Sequence, residues 1–110
     1  PNFSVKTTQT MYGLTVTTYS DGLNVYLKIS GTLNGSSDLA TNNRVNIGTL
    51  SNTNYAPPSE MQTTVHSANA PNWSRLTVFA DGRVFIQIGS SSTTLAIEGS
   101  FYYPLKSRIP

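Results

Sequence analysis

Cysteine is absent from this 110-residue chain, and charged residues make up only 11% of it. Without cysteine the chain has no disulfide, no thiolate nucleophile and no thiolate metal ligand. No apolar run approaches the roughly 18 residues that a membrane-spanning helix needs, so we expect no membrane partner. Because the sequence begins at Pro1 rather than Met, we expect one domain over 1–110, excised from a longer chain.

Groups that could carry out catalysis are equally scarce. His66 is the only histidine, and Asp and Glu together number five. A lone histidine gives no pair to hold a metal, and no G-x-S-x-G motif supports a serine nucleophile. Asp21 and Asp81 are explained by turns, which leaves too few carboxylates for a glycoside hydrolase pair. We therefore predict no enzyme activity, no catalytic residue, no metal and no cofactor.

The basic residues are few and scattered. Seven Lys and Arg against five acidic residues give a net charge of +2, and the cations run from Lys6 to Arg108 without a cluster. Binding to nucleic acid needs several cations on one surface, so we expect no nucleic acid partner. Ser, Thr and Asn instead make up 39 of the 110 residues, a composition common in extracellular and virion proteins.

Two stretches of the chain have the pattern of a β-hairpin. In 76–88 and again in 14–29, apolar residues alternate with polar ones, and an Asp-Gly pair joins the two halves. Period-two alternation is typical of half-buried strands, and Asp-Gly favours a two-residue turn with positive φ angles. Helical periodicity is absent, so the sequence predicts an all-β fold.

Turn residues divide the chain into about eight strands. The predicted strands are Phe3–Thr8, Leu14–Tyr19, Leu23–Ser30, Arg44–Leu50, Met61–His66, Ser74–Ala80, Arg83–Ile88 and Thr94–Tyr102. Eight short strands in one domain predict a small antiparallel β-barrel or a jelly-roll-like sandwich. The long loops at 31–43 and 51–60 are the expected places for recognition.

One group of residues has the chemistry of a saccharide site. His66, Asn69, Trp73 and Arg75 lie within ten residues, and Trp73 is the only tryptophan. Sugars present C–H faces that stack on indole and hydroxyls that need hydrogen-bonding partners. The structural alternative is that Trp73 caps the core and His66 is solvated. Arg83 is either a solvated charge or a second guanidinium for the same ligand.

The last predicted strand carries more aromatic residues than a core strand needs. Phe101, Tyr102 and Tyr103 follow one another directly. Such a strand either packs against another copy of the chain or is buried in the core of its own domain.

Three short motifs resemble a known family. They are Ile47-Gly48-Thr49-Leu50, the loop Asn54-Tyr55-Ala56-Pro57-Pro58, and Arg75 to Val84, which reads RLTVFADGRV. In this order they resemble the head domains of receptor-binding proteins in the tails and baseplates of phages that infect lactococci. The resemblance covers about 44–103. It implies a trimeric β-barrel at the virion tip, outside the host cell, that binds saccharides of the host envelope and contacts other baseplate proteins.

The resemblance also implies roles for individual residues. Trp73 would stack on the sugar, His66 would hydrogen-bond to it, and Arg75 or Arg83 would supply a guanidinium. The family's acidic residue has no clear counterpart: Asn69 replaces it, Asp81 reaches in from the hairpin, or the site lies elsewhere. The alternative function is a structural baseplate module that docks other virion proteins without binding glycan.

Overall fold

The structure is a computed structural model, and it describes residues 5–33, 44–66, 73–88 and 95–106. Within these ranges it has eight strands and one 3-10 turn. They are β1 (Val5–Met11), β2 (Leu14–Ser20), β3 (Asn24–Leu33), β4 (Arg44–Thr49), the 3-10 turn (Thr53–Tyr55), β5 (Met61–His66), β6 (Trp73–Val78), β7 (Arg83–Ile88) and β8 (Leu95–Pro104). The all-β prediction is confirmed, and β5 and β7 have the predicted bounds.

The strands form two antiparallel four-stranded sheets. The first sheet has the order β1-β2-β3-β8, and the second has the order β4-β7-β6-β5. Each sheet is a three-strand meander with one further strand added, and in the second sheet this is a Greek key. The described residues form no closed barrel. The prediction allowed a closed barrel or a two-sheet sandwich, and the described strands form two separate sheets.

The core lies between the two sheets. Side chains alternate along each strand, and the inward-facing apolar residues of both sheets enter one shared cluster. The cluster contains Met11, Leu14, Val16, Val25, Leu27, Ile29, Ile97, Phe101 and Tyr103 from the first sheet, and Ile47, Leu76, Val78, Val84, Ile86 and Ile88 from the second, with Leu50 and Ala56 beside them. The remaining residues of each strand form two outer faces.

Side-chain bonds tie the two sheets together. The amide of Gln9 on β1 donates to Thr49 O at 3.0 Å and accepts from Ser51 N at 2.8 Å, which joins the edges of β1 and β4. The hydroxyl of Tyr103 donates to the carbonyl of Tyr55. Burial raises the pKa of Tyr103, so this hydroxyl keeps its proton throughout the ordinary pH range.

The hairpin turns differ from the prediction of two-residue Asp-Gly turns. A two-residue turn of that kind needs positive φ at both positions, but only Gly22 (φ 90°) and Gly82 (φ 94°) have it. In the β6–β7 connection Gly82 N–H donates to Phe79 O at 2.9 Å, and Phe79 N–H donates to Arg83 O at 3.0 Å. The glycine is therefore the last residue of a longer turn, and the aspartate before it has an ordinary backbone.

Candidate functional site

Three of the predicted saccharide residues lie on one ladder, on rungs that are two residues apart. Strands β5 and β6 pair His66 with Trp73 and Thr64 with Arg75. The backbones of His66, Trp73 and Arg75 are therefore close together at one end of the second sheet. The side chains of His66 and Trp73, and all of Asn69, lie outside the described residues.

The structure does not bring Asp81 and Arg83 to that end. Strand β6 runs from Trp73 to Val78, and at about 3.3 Å per residue these five steps separate its two ends by roughly 17 Å. Asp81 and Arg83 belong to the hairpin beyond Val78. Of the two candidate arginines, Arg75 is therefore the one close to the His66–Trp73 rung, two residues along β6.

Asp81 is also engaged within its own hairpin. Its carboxylate accepts from Arg83 N–H at 3.1 Å and from Arg83 Nε at 2.7 Å. The backbone bond chiefly, and the guanidinium in addition, hold the pKa of Asp81 below its ordinary value. Asp81 is therefore an ionised turn residue bonded to Arg83.

A row of three tyrosines crosses the outer face of the first sheet. The ladders pair Tyr19 of β2 with Tyr26 of β3, and Tyr26 with Tyr102 of β8. The rings of Tyr19 and Tyr26 have centroids 6.1 Å apart, and Tyr102 is 56% exposed. We call Tyr19, Tyr26 and Tyr102 the tyrosine row. It presents aromatic surface on three adjacent strands at one level of the sheet.

An open groove lies beside the tyrosine row. It has a volume of about 290 Å³ and is lined by Tyr26, Lys28, Glu98, Gly99 and Ser100. The ladder places the small Ser100 opposite Lys28, between the larger side chains of Glu98 and Tyr102, so the surface is depressed there. This volume is near the lower end of the range for small-molecule sites, about 300–1,000 Å³. We call these five residues the sheet groove.

The polar side chains of the sheet groove have unused hydrogen-bonding capacity. Among the described residues, Lys28, Glu98 and Ser100 make no side-chain hydrogen bond and no ion pair. An ammonium only donates, a carboxylate only accepts, and a hydroxyl does both. Ring surface from Tyr26 next to these three groups provides both kinds of contact that a sugar needs: a face for C–H groups and partners for hydroxyls.

Sequence reasoning missed this groove, although a signal for it was present. In β2, β3 and β8 the apolar core positions alternate with outward positions, and Tyr19, Tyr26 and Tyr102 all occupy outward ones. A tyrosine at a position that otherwise holds Thr, Lys, Ser or Glu indicates a surface function. What the pattern does not contain is the pairing of β3 with β8, which places these residues side by side.

The aromatic residues of the last strand, β8, do not all have the same role. Phe101 and Tyr103 are 4% and 3% exposed and belong to the core cluster, whereas Tyr102 points outward. Core burial therefore explains two of the three aromatic residues, and Tyr102 alone remains for recognition.

No family model and no curated protein matches the chain. The described residues contain no group of three His, Cys, Asp or Glu side chains placed to hold a metal ion. None of them forms a helix long and apolar enough to cross a membrane.

Proposed function

We propose that this domain is a non-catalytic saccharide-binding module, and that its role is recognition of the host surface by a phage tail or baseplate protein. The observation that carries the first part is the sheet groove beside the tyrosine row. The proposed role in host recognition rests on the sequence resemblance alone.

The lining of the groove favours binding over hydrolysis. Glu98 is the one carboxylate among its five lining residues, whereas glycoside hydrolysis ordinarily uses two. Binding at such a site is weak, because ligand hydroxyls exchange water for protein partners and little apolar surface is buried. We expect a dissociation constant for a monosaccharide no tighter than about micromolar. Firm adhesion then depends on several copies of the domain acting together.

The test begins with a glycan array, followed by calorimetric titration of the saccharide that the array selects. Tyr102→Ala should weaken binding about tenfold, because it removes the most exposed ring of the row. Tyr12→Asn is the matched control, since it removes another partly exposed tyrosine from the β1–β2 turn at the opposite end of the same sheet. A Tyr102→Ala variant that binds as well as the parent would show that the exposed ring of the tyrosine row does not contact the saccharide.

The single tryptophan distinguishes the groove from the His66–Trp73–Arg75 site. Trp73 belongs to the second sheet, and the groove lies on the outer face of the first. Saccharide binding in the groove should therefore leave Trp73 emission unchanged. If emission changes on titration and Trp73→Ala abolishes binding, the saccharide binds on the second sheet instead. If no array saccharide binds at all, the alternative of a structural docking module is favoured.

A further inference from the structure

The outer face of the second sheet carries a pair of phenylalanine rings covered by two arginines. Phe79 and Phe85 meet edge to face, with centroids 5.1 Å apart. The guanidinium carbon of Arg83 lies 4.8 Å and 5.4 Å from the two ring centres, and that of Arg44 lies 5.5 Å and 5.9 Å from them. We call these four residues the arginine–phenylalanine cluster. Each guanidinium is within cation–π distance of both rings.

Two carboxylates hold the arginines in place. Arg83 is bonded through Nε to Asp81 at 2.7 Å. Arg44 is the first residue of the edge strand β4, and Glu60 directly precedes β5 at the opposite edge of the sheet. The Nη1 atom of Arg44 lies 4.0 Å from the carboxylate of Glu60. Glu60 in turn accepts from Gln62 at 2.8 Å. The bond to Asp81 thus orients the guanidinium of Arg83 before any ligand arrives, which lowers the entropy lost on binding.

These contacts leave most guanidinium donors unused. A guanidinium has five N–H donors, but Asp81 takes only the Nε of Arg83, and 4.0 Å from Glu60 is longer than a hydrogen bond. Among the described residues, the terminal nitrogens of Arg44 and Arg83 make no hydrogen bond. Their side chains are 45% and 46% exposed, so a ligand in solution can reach them.

We propose that Arg44 and Arg83 form an oxyanion-binding site, for a carboxylate or phosphate group, on the face of the sandwich opposite the sheet groove. The planar fork of a guanidinium matches the paired oxygens of such groups, and contact with the rings restricts where each guanidinium lies. The negative charges of Asp81 and Glu60 offset the positive charges of the two arginines. Affinity for the oxyanion therefore has to come from hydrogen bonds with the guanidinium groups rather than from net charge. The expected dissociation constant is on the order of millimolar.

The test follows the arginine Nε–Hε signals by NMR while inorganic phosphate or acetate is added to the whole domain. Potassium chloride at equal ionic strength is the control for screening. The signals of Arg44 and Arg83 should shift and saturate together, and the Arg75 signal should move much less. Saturation by phosphate alone, by acetate alone or by both identifies which oxyanion the site accepts.

Two variants make the result specific. Arg83→Lys keeps the net charge but removes the fork, and it should weaken the phosphate response of Arg44 about tenfold. Lys6→Gln removes one positive charge from β1 of the opposite sheet and should leave that response unchanged. If Arg83→Lys alters the amide spectrum beyond its hairpin, Arg44→Lys, followed at Arg83, replaces it. Equal shifts with chloride, equal shifts at Arg75, or full binding by the lysine variant would overturn the proposal.

Discussion

Tyr12 is the only described residue other than glycine with a left-handed backbone, at φ 50°. With Gly13 (φ 84°) it forms the two-residue turn between β1 and β2. A bulky residue in this region is strained, whereas asparagine tolerates it and is favoured in such turns. Tyr12→Asn should therefore raise the free energy of unfolding by about 1 kcal/mol, measured by urea denaturation. Tyr12→Ala keeps the strain and should show no such gain. A loss of stability with asparagine would show that the ring's packing outweighs the backbone strain.

Asp21 stabilises its turn through its charge. Its Oδ1 accepts from the backbone N–H groups of Leu23 and Asn24, each at 2.8 Å. The bond from Asn24, followed by that from Leu23, holds the pKa of Asp21 below its ordinary value. A lowered native pKa means that this stability is fully present above the unfolded pKa of about 3.9 and is lost as pH falls through the native value.

The consequence is a pH-dependent mutational effect. Asp21→Asn keeps an acceptor oxygen at the same place but removes the charge. It should destabilise the domain at pH 7, and the difference from the parent should become smaller as pH falls below about 4. Unfolding of both proteins in urea at pH 7 and at low pH measures this. A difference that is the same at both pH values would show that charge has no part in this turn.

The two Asp-Gly hairpins use the same sequence in different surroundings. A Cβ added to Gly22 would meet nothing within 4 Å, whereas one added to Gly82 would lie 3.2 Å from Thr53 Cγ2 and 3.6 Å from Leu50 Cβ. Gly22→Ala should therefore cost only the left-handed backbone penalty, about 1–2 kcal/mol. Gly82→Ala should cost more, because the β6–β7 hairpin packs against the segment after β4. Thermal unfolding of the two variants side by side tests this order, and equal losses would contradict it.

At the scale of the whole molecule, we predict that the domain is a homotrimer. The prediction comes from the family resemblance and from the aromatic surface of β8, which lies at an edge of the first sheet. Multi-angle light scattering should give the mass of three 11.9 kDa chains. A monomer at tens of micromolar, as an order of magnitude, would remove the trimer and with it the avidity that weak sites need.

The same measurement separates two roles for Tyr102. If the ring binds saccharide, Tyr102→Ala should lose affinity and keep the mass of the parent. If the ring instead lies between protomers, the variant should dissociate, because truncating a buried aromatic anchor weakens an interface strongly. A Tyr102→Ala variant that dissociates into monomers but whose sites still bind saccharide would therefore assign Tyr102 to the contact between protomers.

The number of strands, their approximate positions and the core face were predictable from the sequence alone, because alternation along a strand is a local property, whereas most strand ends differ by one to three residues. Leu76 and Val78 on β6, and Val84 and Ile86 on β7, are buried as their spacing predicts. The positive φ angles of Gly22 and Gly82 were likewise predicted from the Asp-Gly pairs. The length of those turns was not, since it depends on the bond from Phe79 N–H to Arg83 O across the hairpin.

Only the tertiary structure decided which outer residues become neighbours. Tyr26 and Tyr102 are far apart in the chain, and they pair because the chain crosses to the second sheet after β3 and returns to place β8 beside β3. Conversely, Trp73 and Asp81 are close in sequence but separated in space, because an extended strand lies between them. Side-chain periodicity specifies which face a residue occupies, whereas strand order depends on the free energy of packing the entire chain.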